Sequence, residues 1–302
     1  MTFGEVTESA RTLLKRCDSE YGRLQRKVSG SQRGIPTFFD QLLFQGLRRI
    51  RQLAESSPDE ITAGSPATND ELVQLGRLLL EYADDRSRPR FHAFDERLQA
   101  SHTRTTLPWE LTPYQSAALQ GLDECVHWRG IPIFKSVFDL ALYPMLLWEL
   151  KPRTILELGA GLGASALWFA DLLATFGIDG TVVSVDEQSI HASHPKVKFI
   201  QGDCTRISEV LPTDLLTACR HPWLVIEDVH VNTAAILNHL LPLFEIGDYL
   251  VVEDAPQKRD IIRDVLHALP QRVIVDTRFT DFFGRNTTSA TDAILVRVPD
   301  SR

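Results

Sequence analysis

Carboxylates end two apolar runs in the second half of the chain. One run ends in an acidic pair whose second member is Asp228, and the other is followed by Glu253 and Asp254. If the runs are neighbouring parallel strands, their carboxyl ends bring the three carboxylates together. Such a cluster is costly unless a positive charge lies between its members, and oxygen ligands favour Mg²⁺ over Ca²⁺ or Zn²⁺. The pattern predicts a metal site at Asp228, Glu253 and Asp254, the alternative being acids that cap helices.

His230 lies two residues beyond Asp228, at the start of the next predicted helix. An imidazole in that place is suited to remove a proton from a substrate. His230 and Asp228 are therefore the predicted catalytic residues. The alternative is that His230 is a capping or surface residue.

A glycine-rich turn follows another apolar run. Thr154–Leu158 leads into Gly159, Gly161 and Gly163, and a helix is predicted over about 164–176. Glycines let the backbone turn tightly and let a ligand approach closely, and a helix N-terminus offers free N–H groups. Because dinucleotide-binding proteins use similar loops, the turn alone does not identify the cofactor.

Three acids refine the prediction of a nucleoside cofactor. Glu157, two residues before Gly159, is placed to bind a cofactor ammonium group, where nicotinamide-binding strands usually carry an apolar residue. Asp186 ends the next strand and suits two ribose hydroxyls, as in either class of cofactor. Asp203 follows the third strand, where such folds contact adenine; as alternatives, Asp186 and Asp203 are turn residues.

Seven β-rich runs alternate with helix-length segments after Gly130. Most are continuous apolar stretches, as in strands of a parallel sheet covered on both faces. The last two runs favour a hairpin. The predicted fold is α/β, a seven-stranded, mostly parallel Rossmann-like sheet. The runs are Thr154–Leu158, Thr181–Asp186, Val197–Gln201, Trp223–Ile226, Tyr249–Val252, Arg272–Asp276 and Ala293–Val298.

The first part of the chain has a helical pattern instead. Apolar residues recur at steps of three and four within 6–24, 39–53 and 72–82, which is typical of amphipathic helices. We therefore predict a helical region over 1–127 and a cofactor-binding domain over 128–302. The helical region is a lid, an acceptor-binding module or an oligomer contact, or its stripes simply pack as core.

Composition limits the classes of partner. The 302 residues carry a net charge of −8 and 43% apolar residues, which is ordinary for a globular protein and disfavours nucleic acid as the main partner. No run approaches the roughly 20 apolar residues of a membrane span, and the polar N-terminus leads us to expect a cytoplasmic protein. Four scattered cysteines indicate neither disulfides nor zinc. A small-molecule acceptor is the expected partner, with a homo-oligomer possible.

Several of these motifs, in this order and spacing, resemble the cephalosporin hydroxylase family. That family has a class I methyltransferase fold and is related to macrocin and rhamnosyl O-methyltransferases. The resemblance covers roughly residues 128–298. It lies in residues 130–139, 147–152, 157–171, 184–186, 202–203, 228–230, 247–254 and 283–287.

The resemblance implies S-adenosylmethionine as the cofactor, but residues 1–127 show no such likeness, so the acceptor is not implied by it. Our hypothesis is a methyltransferase that transfers the methyl group to a hydroxyl of a small secondary-metabolite or sugar-like acceptor. The resemblance also implies Mg²⁺ at the three predicted metal ligands, with His230 close by. The family's Asp-Ser-x-His type segment reads Glu227-Asp228-Val-His230 here, which leaves the metal register open by one residue. The cofactor residues implied are Glu157, Gly159, Ser165, Asp186 and Asp203, with Gly161 in the same turn.

Two other functions stay open. A nicotinamide-dependent oxidoreductase would use the same sheet, although Glu157 and the lack of a Tyr-x-x-x-Lys motif disfavour it. An assisting, cofactor-binding partner subunit of a biosynthetic enzyme would keep the site without catalysing transfer.

Overall fold

The computed structural model describes residues 89–102, 118–121, 124–283 and 287–300, with short helical segments at 15–16, 19–23, 25–26, 44 and 47–48. The chain divides into two compact units, Met1–Arg88 and Pro89–Arg302. In the first unit the ring of Tyr21 stacks on that of Phe44, with 4.9 Å between centroids. The third predicted stripe, over 72–82, lies outside the described residues.

The second unit is built on an eight-stranded sheet of order β1-β9-β10-β8-β7-β4-β5-β6. Strands β8, β7, β4, β5 and β6 are parallel, whereas β10 is antiparallel to both β8 and β9. A separate hairpin pairs β2 with β3. The strands are β1 Phe91–His92, β2 His127–Trp128, β3 Ile131–Pro132, β4 Thr154–Leu158, β5 Thr181–Asp186, β6 Val197–Gln201, β7 Trp223–Glu227, β8 Tyr249–Val252, β9 Val273–Asp276 and β10 Ile294–Arg297.

Helices connect the strands. The longest helix within the described residues, α2, begins after Ser136, whose side chain accepts a hydrogen bond from the backbone N–H of Asp139. It ends at Lys151, which has a left-handed conformation. The helices are α1 Phe94–His102, α2 Val137–Leu150, α3 Ala164–Thr175, α4 Ile207–Val210, α5 Thr213–Thr217, α6 Thr233–Leu240, α7 Arg259–Ala268 and α8 Thr277–Thr280. None of the helices within the described ranges is long and apolar enough to cross a membrane.

The continuous apolar character of the central strands follows from burial on both faces. Every residue of β4, β7 and β8 is buried. Two apolar cores lie against the sheet, one containing Leu156 and Leu158 of β4 and the other containing Ile155 of the same strand. Alternate side chains of one strand therefore enter different cores, as the period of two requires.

The predicted α/β fold with a mostly parallel Rossmann-like sheet is confirmed, and the last two predicted strands form the expected antiparallel hairpin. The sheet has an eighth strand, β1, which pairs with the edge of β9. The second unit consequently begins at Pro89, ahead of the boundary at 127/128 expected from the sequence. Phe94 of α1 is part of the core on one face of the sheet, which explains why this segment belongs to the unit.

The strand order reverses at β4, which has β5 on one side and β7 on the other. At such a point two chain connections leave the sheet in opposite directions and a crevice opens beyond the carboxyl ends of the strands. The backbone N–H of Asp228 donates to the carbonyl of Leu158 at 2.9 Å, which joins the ends of β7 and β4. The glycine turn and the acidic segment thus lie side by side.

Candidate functional site

A cleft of about 670 Å³ opens beyond the carboxyl ends of the parallel strands. One part of its wall comes from the glycine turn and the ends of β5 and β6, and the other from the ends of β7 and β8 and the segment before α2. Its lining includes Phe134, Lys135, Ser136, Asp139, Gly159, Gly161, Ser165, Asp186, Asp203, Asp228, His230, Glu253, Asp254 and Ser289. All the predicted site residues except Glu157 reach this cleft.

The glycine turn has the left-handed backbone that its sequence predicts. Gly159, Gly161 and Gly163 have φ of 95°, 53° and 85°. A Cβ on Gly161 would meet no atom within 4 Å, so this residue faces open space. Gly163 caps α3 without a side-chain hydrogen bond, and the free N–H groups of this helix are available to a ligand.

Gly159 is required for a different reason. A Cβ at this position would lie 2.4 Å from the carbonyl oxygen of Asp228. We expect Gly159→Ala to destabilise the fold by about 2–4 kcal/mol, because the clash adds to the left-handed strain. It would also displace Asp228. Gly177→Ala is the control, since Gly177 has φ of 65° with nothing near its Cβ position. Equal urea midpoints for the two variants would contradict this reading.

Asp186 and Asp203 lie on the side of the cleft next to the glycine turn. The Asp186 carboxylate accepts hydrogen bonds from the backbone N–H groups of Gly161 at 2.7 Å and Gln188 at 2.9 Å. Asp203 is exposed and accepts from the backbone N–H of Thr205 at 2.8 Å. Hydrogen bonds from Thr205, first from its side chain and then from its backbone, lower the pKa of the Asp203 carboxyl. Both residues line the cleft, and since an ionised carboxylate has about four lone-pair sites, each retains acceptor capacity for sugar or base donors.

Glu157 differs from its prediction. Its side chain is buried and accepts a hydrogen bond from the hydroxyl of Ser184 at 2.5 Å. Burial raises the pKa of Glu157, against the hydrogen bonds from Ser165 and Ser184. Ser165, in the first turn of α3, lines the cleft instead. The structure therefore places Glu157 behind Ser165 and not at the cleft surface.

A buried lysine lies between two of the predicted metal ligands. The Nζ of Lys135 donates to Oδ2 of Asp228 at 2.8 Å and to Oε1 of Glu253 at 2.5 Å. The hydroxyl of Tyr143 donates to the same Glu253 oxygen at 2.6 Å, and Ser289 contacts the other at 3.3 Å. The positive charge that the acidic cluster requires is thus supplied, for Glu253, by Lys135.

Among the residues that the structure describes, one group has spacing suited to a metal ion: Asp228, His230 and Asp254, each of which offers one ligand atom within 4.8 Å of the others. Glu253 is not in this group. Glu227, the acid of the alternative register, is buried and accepts from Lys258 at 2.7 Å and from Thr233 at 3.0 Å. Asp228, and not Glu227, faces the cleft.

The residues present fit a single hard divalent ion. Asp228 has one carboxylate oxygen outside its bond to Lys135, and Asp254 is exposed, with its backbone in the left-handed region at φ 51°. A non-glycine residue in that conformation is often held there at a functional site. Because Mg²⁺ prefers oxygen, the two carboxylates are the better ligands. His230, 3.7 Å from Asp254, then stays available as a base.

Burial raises the pKa of Asp228 to about 7, and the neighbouring charge of Glu253 adds to the shift while Lys135 opposes it. Because a cation binds the ionised carboxylate, binding at Asp228 would work against this shift and favour the charged form.

Sequence reasoning missed three side chains that hold the acids. Lys135 and Tyr143 bind Glu253, and Lys258 binds both Glu227 and the carbonyl of Val229. Lys135 lies within the 130–139 stretch that carries the family resemblance, which was the available signal. Nothing in the spacing of Tyr143 or Lys258 indicated a partner some 30 to 110 residues away.

A sheet of this order with a glycine turn at its switch point defines the class I methyltransferase fold. The family model for rhamnosyl O-methyltransferase/CmcI matches residues 120–279, which is over half of the chain. The chain therefore belongs to the rhamnosyl O-methyltransferase/CmcI family.

Individual proteins agree with this assignment. The rhamnosyl O-methyltransferase of Mycobacterium leprae is 32% identical over 143 residues, covering 42% of this chain and 59% of the relative. Its counterpart from Mycobacterium tuberculosis H37Rv is 30% identical over 137 residues, covering 42% and 56%. The match thus spans less than two thirds of these curated relatives. The solved apo structure of CmcI-N160 has a TM-score of 0.52 and 26% identity, covering 71% of this chain and 88% of that one.

Proposed function

We propose that the protein is an S-adenosylmethionine-dependent, Mg²⁺-dependent O-methyltransferase that acts on a hydroxyl of a small, sugar-like acceptor. One observation carries the proposal: a single cleft joins the glycine turn and Asp186 to the group of Asp228, His230 and Asp254. Family membership supports the reaction class. The name of the curated relatives supports a rhamnosyl group as the first acceptor to test.

The cofactor side of the cleft would hold the nucleoside and the amino-acid part of the methyl donor. Asp186, already fixed by two backbone N–H groups, would accept the ribose hydroxyls, and Asp203 would contact the adenine end. Gly161 leaves room for the cofactor because a Cβ there would point into open space. The N-terminus of α3 and Ser165 would bind its polar end, with Glu157 behind Ser165 as a buried support.

The acceptor side would align and deprotonate the hydroxyl. When bound, the cofactor would supply an activated methyl group, and Mg²⁺ would supply Lewis acidity toward the acceptor hydroxyl. Asp228 and Asp254 would hold the ion, and His230, with its side chain 72% exposed, would take the acceptor proton at Nε2. Alignment of the two reactants can lower a barrier by about 7–11 kcal/mol, so most of the catalysis would come from positioning.

Turnover with simple rhamnosides tests the proposal. We expect S-adenosylhomocysteine and an O-methylated glycoside, detected by mass spectrometry, when the protein is incubated with S-adenosylmethionine, Mg²⁺ and methyl or aryl rhamnosides. Excess EDTA should abolish the product. Equal turnover in EDTA would show that the reaction does not depend on a metal. Release of S-adenosylhomocysteine without any methylated glycoside would show that the glycoside is not the acceptor.

The roles of the remaining parts belong to the same proposal. The N-terminal region is proposed to act as a lid, an acceptor-binding module or an oligomer contact, as its amphipathic stripes suggest. We propose a homo-oligomer that acts in the cytoplasm on a small molecule and not on nucleic acid, in keeping with the net charge of −8.

A further inference from the structure

A buried lysine connects the two segments that carry the candidate metal group. Lys258 is 6% exposed and lies between the short 3₁₀ turn Ala255–Gln257 and the first residue of α7. Its Nζ donates hydrogen bonds to Oε2 of Glu227 at 2.7 Å and to the backbone carbonyl of Val229 at 3.0 Å. A buried ion pair gains little stability over an apolar pair of the same volume, so stability alone does not account for this lysine.

The two segments separate beyond the carboxyl ends of β7 and β8. The last backbone hydrogen bond between them runs from the N–H of Glu253 to the carbonyl of Glu227, at 2.9 Å. Past this bond, one segment carries two members of the candidate metal group and the other carries the third. Among the described residues, the direct hydrogen bonds that join the segments beyond this point come from the side chain of Lys258.

The bond to Val229 fixes the orientation of a peptide unit within the candidate metal group. Val229 lies between Asp228 and His230, and its carbonyl belongs to the peptide unit that leads into His230. Because a peptide unit is planar, a hydrogen bond to its oxygen restricts rotation of the backbone on both sides. The directions in which the Asp228 and His230 side chains leave the backbone therefore depend on Lys258.

Glu227 holds the same segment from the other side of Asp228. Its carboxylate is 0% exposed and accepts from Lys258 through one oxygen and from the hydroxyl of Thr233, at 3.0 Å, through the other. Burial raises the pKa of Glu227, whereas the ammonium of Lys258 opposes that rise. Lys258 thus binds the segment both before and after Asp228 with a single side chain.

Lys258 is itself firmly held on the segment that carries Asp254. Its backbone N–H donates to the carbonyl of Ala255, and its own carbonyl accepts from the N–H of Ile262, both at 2.9 Å. Ala255 and Ile262 are fully buried in one apolar core of the sheet. The ammonium therefore extends from a rigid part of the fold, in which Asp254 directly precedes Ala255.

We propose that Lys258 is a positioning residue: it holds Asp228 at the correct separation from Asp254 and thereby sets the affinity of the site for a divalent ion. Lys258 does not line the cleft, so it acts through the two segments and not on the ion itself. Residues that orient metal ligands without contacting the metal typically contribute about 10- to 100-fold to metal affinity. This inference rests on the proposed function, whose metal site it concerns.

Metal affinity, measured apart from turnover, tests the inference. Mn²⁺ is titrated into the full chain in place of Mg²⁺, because the EPR signal of the free ion reports binding directly. We expect Lys258→Met to weaken Mn²⁺ binding by at least about tenfold.

Asp248→Ala is the matched control. Asp248 is buried at the opposite, amino ends of the same two strands, where it accepts from the backbone N–H groups of Trp223 and Glu245, each at 2.7 Å. Both this variant and Lys258→Met should lower the urea midpoint. Asp248→Ala should nevertheless leave the Mn²⁺ affinity within about twofold of that of the unmodified protein, because the two sites are independent.

Lys258→Met combined with Glu227→Gln distinguishes positioning from stability. The double variant no longer buries an unpaired carboxylate, so its urea midpoint should recover much of the loss. Its Mn²⁺ affinity should stay low, because the bond to Val229 is still missing. Should Lys258→Met fail to fold, the double variant decides alone.

Unchanged Mn²⁺ affinity in Lys258→Met, an equal loss in Asp248→Ala, or recovery of affinity together with stability in the double variant would each overturn the inference. These results would leave the metal site of the proposed function standing, since the unmodified protein still binds the ion. If the unmodified protein binds no Mn²⁺, the metal part of the proposed function fails, and the inference fails with it.

Discussion

Asp228→Asn is expected to lower Mg²⁺-dependent turnover by about 10³-fold and to weaken Mg²⁺ binding by at least about 100-fold. The substitution removes the carboxylate charge that would face the ion, and a lost metal contact of this kind is worth several kcal/mol. Asp228 also bonds to Lys135, so S-adenosylmethionine affinity is measured in parallel and should change by less than about threefold.

Asp254→Asn distinguishes the loss of a metal ligand from the loss of a buried ion pair. Asp254 is exposed and contacts His230, and the carboxylates bonded to Lys135 are Asp228 and Glu253. Its loss should reduce Mg²⁺ binding to a similar degree without affecting stability. Glu187→Gln, an exposed carboxylate on the cofactor side of the same cleft, is the control. If Glu187→Gln weakens Mg²⁺ binding as strongly as Asp254→Asn, the ion is held by diffuse charge and not by the proposed ligands.

Lys135→Met should destabilise the fold by about 3–5 kcal/mol at pH 8. Lys135 and Glu253 are each 4% exposed, and the removal of one partner leaves an uncompensated buried charge. Burial already raises the pKa of Asp228, and without the ammonium, which opposes that shift, this pKa would rise further above the unfolded value of about 4. Such an acid folds at least cost when it is neutral. The loss therefore grows as pH rises from the unfolded pKa toward the folded pKa of Asp228, and should shrink at pH 5.5.

Urea unfolding of three variants tests whether the loss of stability in Lys135→Met comes from uncompensated charge. Lys151→Met removes a lysine that is exposed at the end of α2 and should change the unfolding free energy by less than about 0.5 kcal/mol. Lys135→Met with Glu253→Gln should recover at least half of the loss at pH 8, because one of the two stranded charges is gone. A loss that is the same at pH 5.5 and 8, and is not relieved by Glu253→Gln, would show that Lys135 acts by packing and not by charge.

The sequence was sufficient for the parts of the fold that depend on local pattern. Strands β4, β5 and β6 begin and end at the predicted residues, because a parallel strand covered on both faces is a continuous apolar run. The glycine turn was predicted equally well, since its residues have positive φ angles, which favour glycine. In contrast, β1 has two residues and pairs with a strand far along the chain, so periodicity gives it no signal.

The sequence predicted where the acids of the site lie along the chain, but not which of them face a ligand. Adjacent strand ends bring Asp228 and Asp254 together, as a parallel sheet requires. Which acids face a ligand depends on the cations that reach them, and Lys135 meets Glu253 across 118 residues of sequence. Glu157 was placed correctly on its strand, but its depth behind Ser165 depends on how α3 packs against the sheet. Long-range contacts of this kind are not encoded in spacing.

Calorimetric titration with S-adenosylmethionine and, in parallel, with NADH, each with and without Mg²⁺, is the most direct test of the central claim that this cleft is a methyl-donor site. We expect micromolar binding of S-adenosylmethionine, lost or strongly weakened in Asp186→Ala, and no binding of NADH. Binding of NADH with no binding of S-adenosylmethionine would contradict the claim and assign the glycine turn and Asp186 to a nicotinamide cofactor.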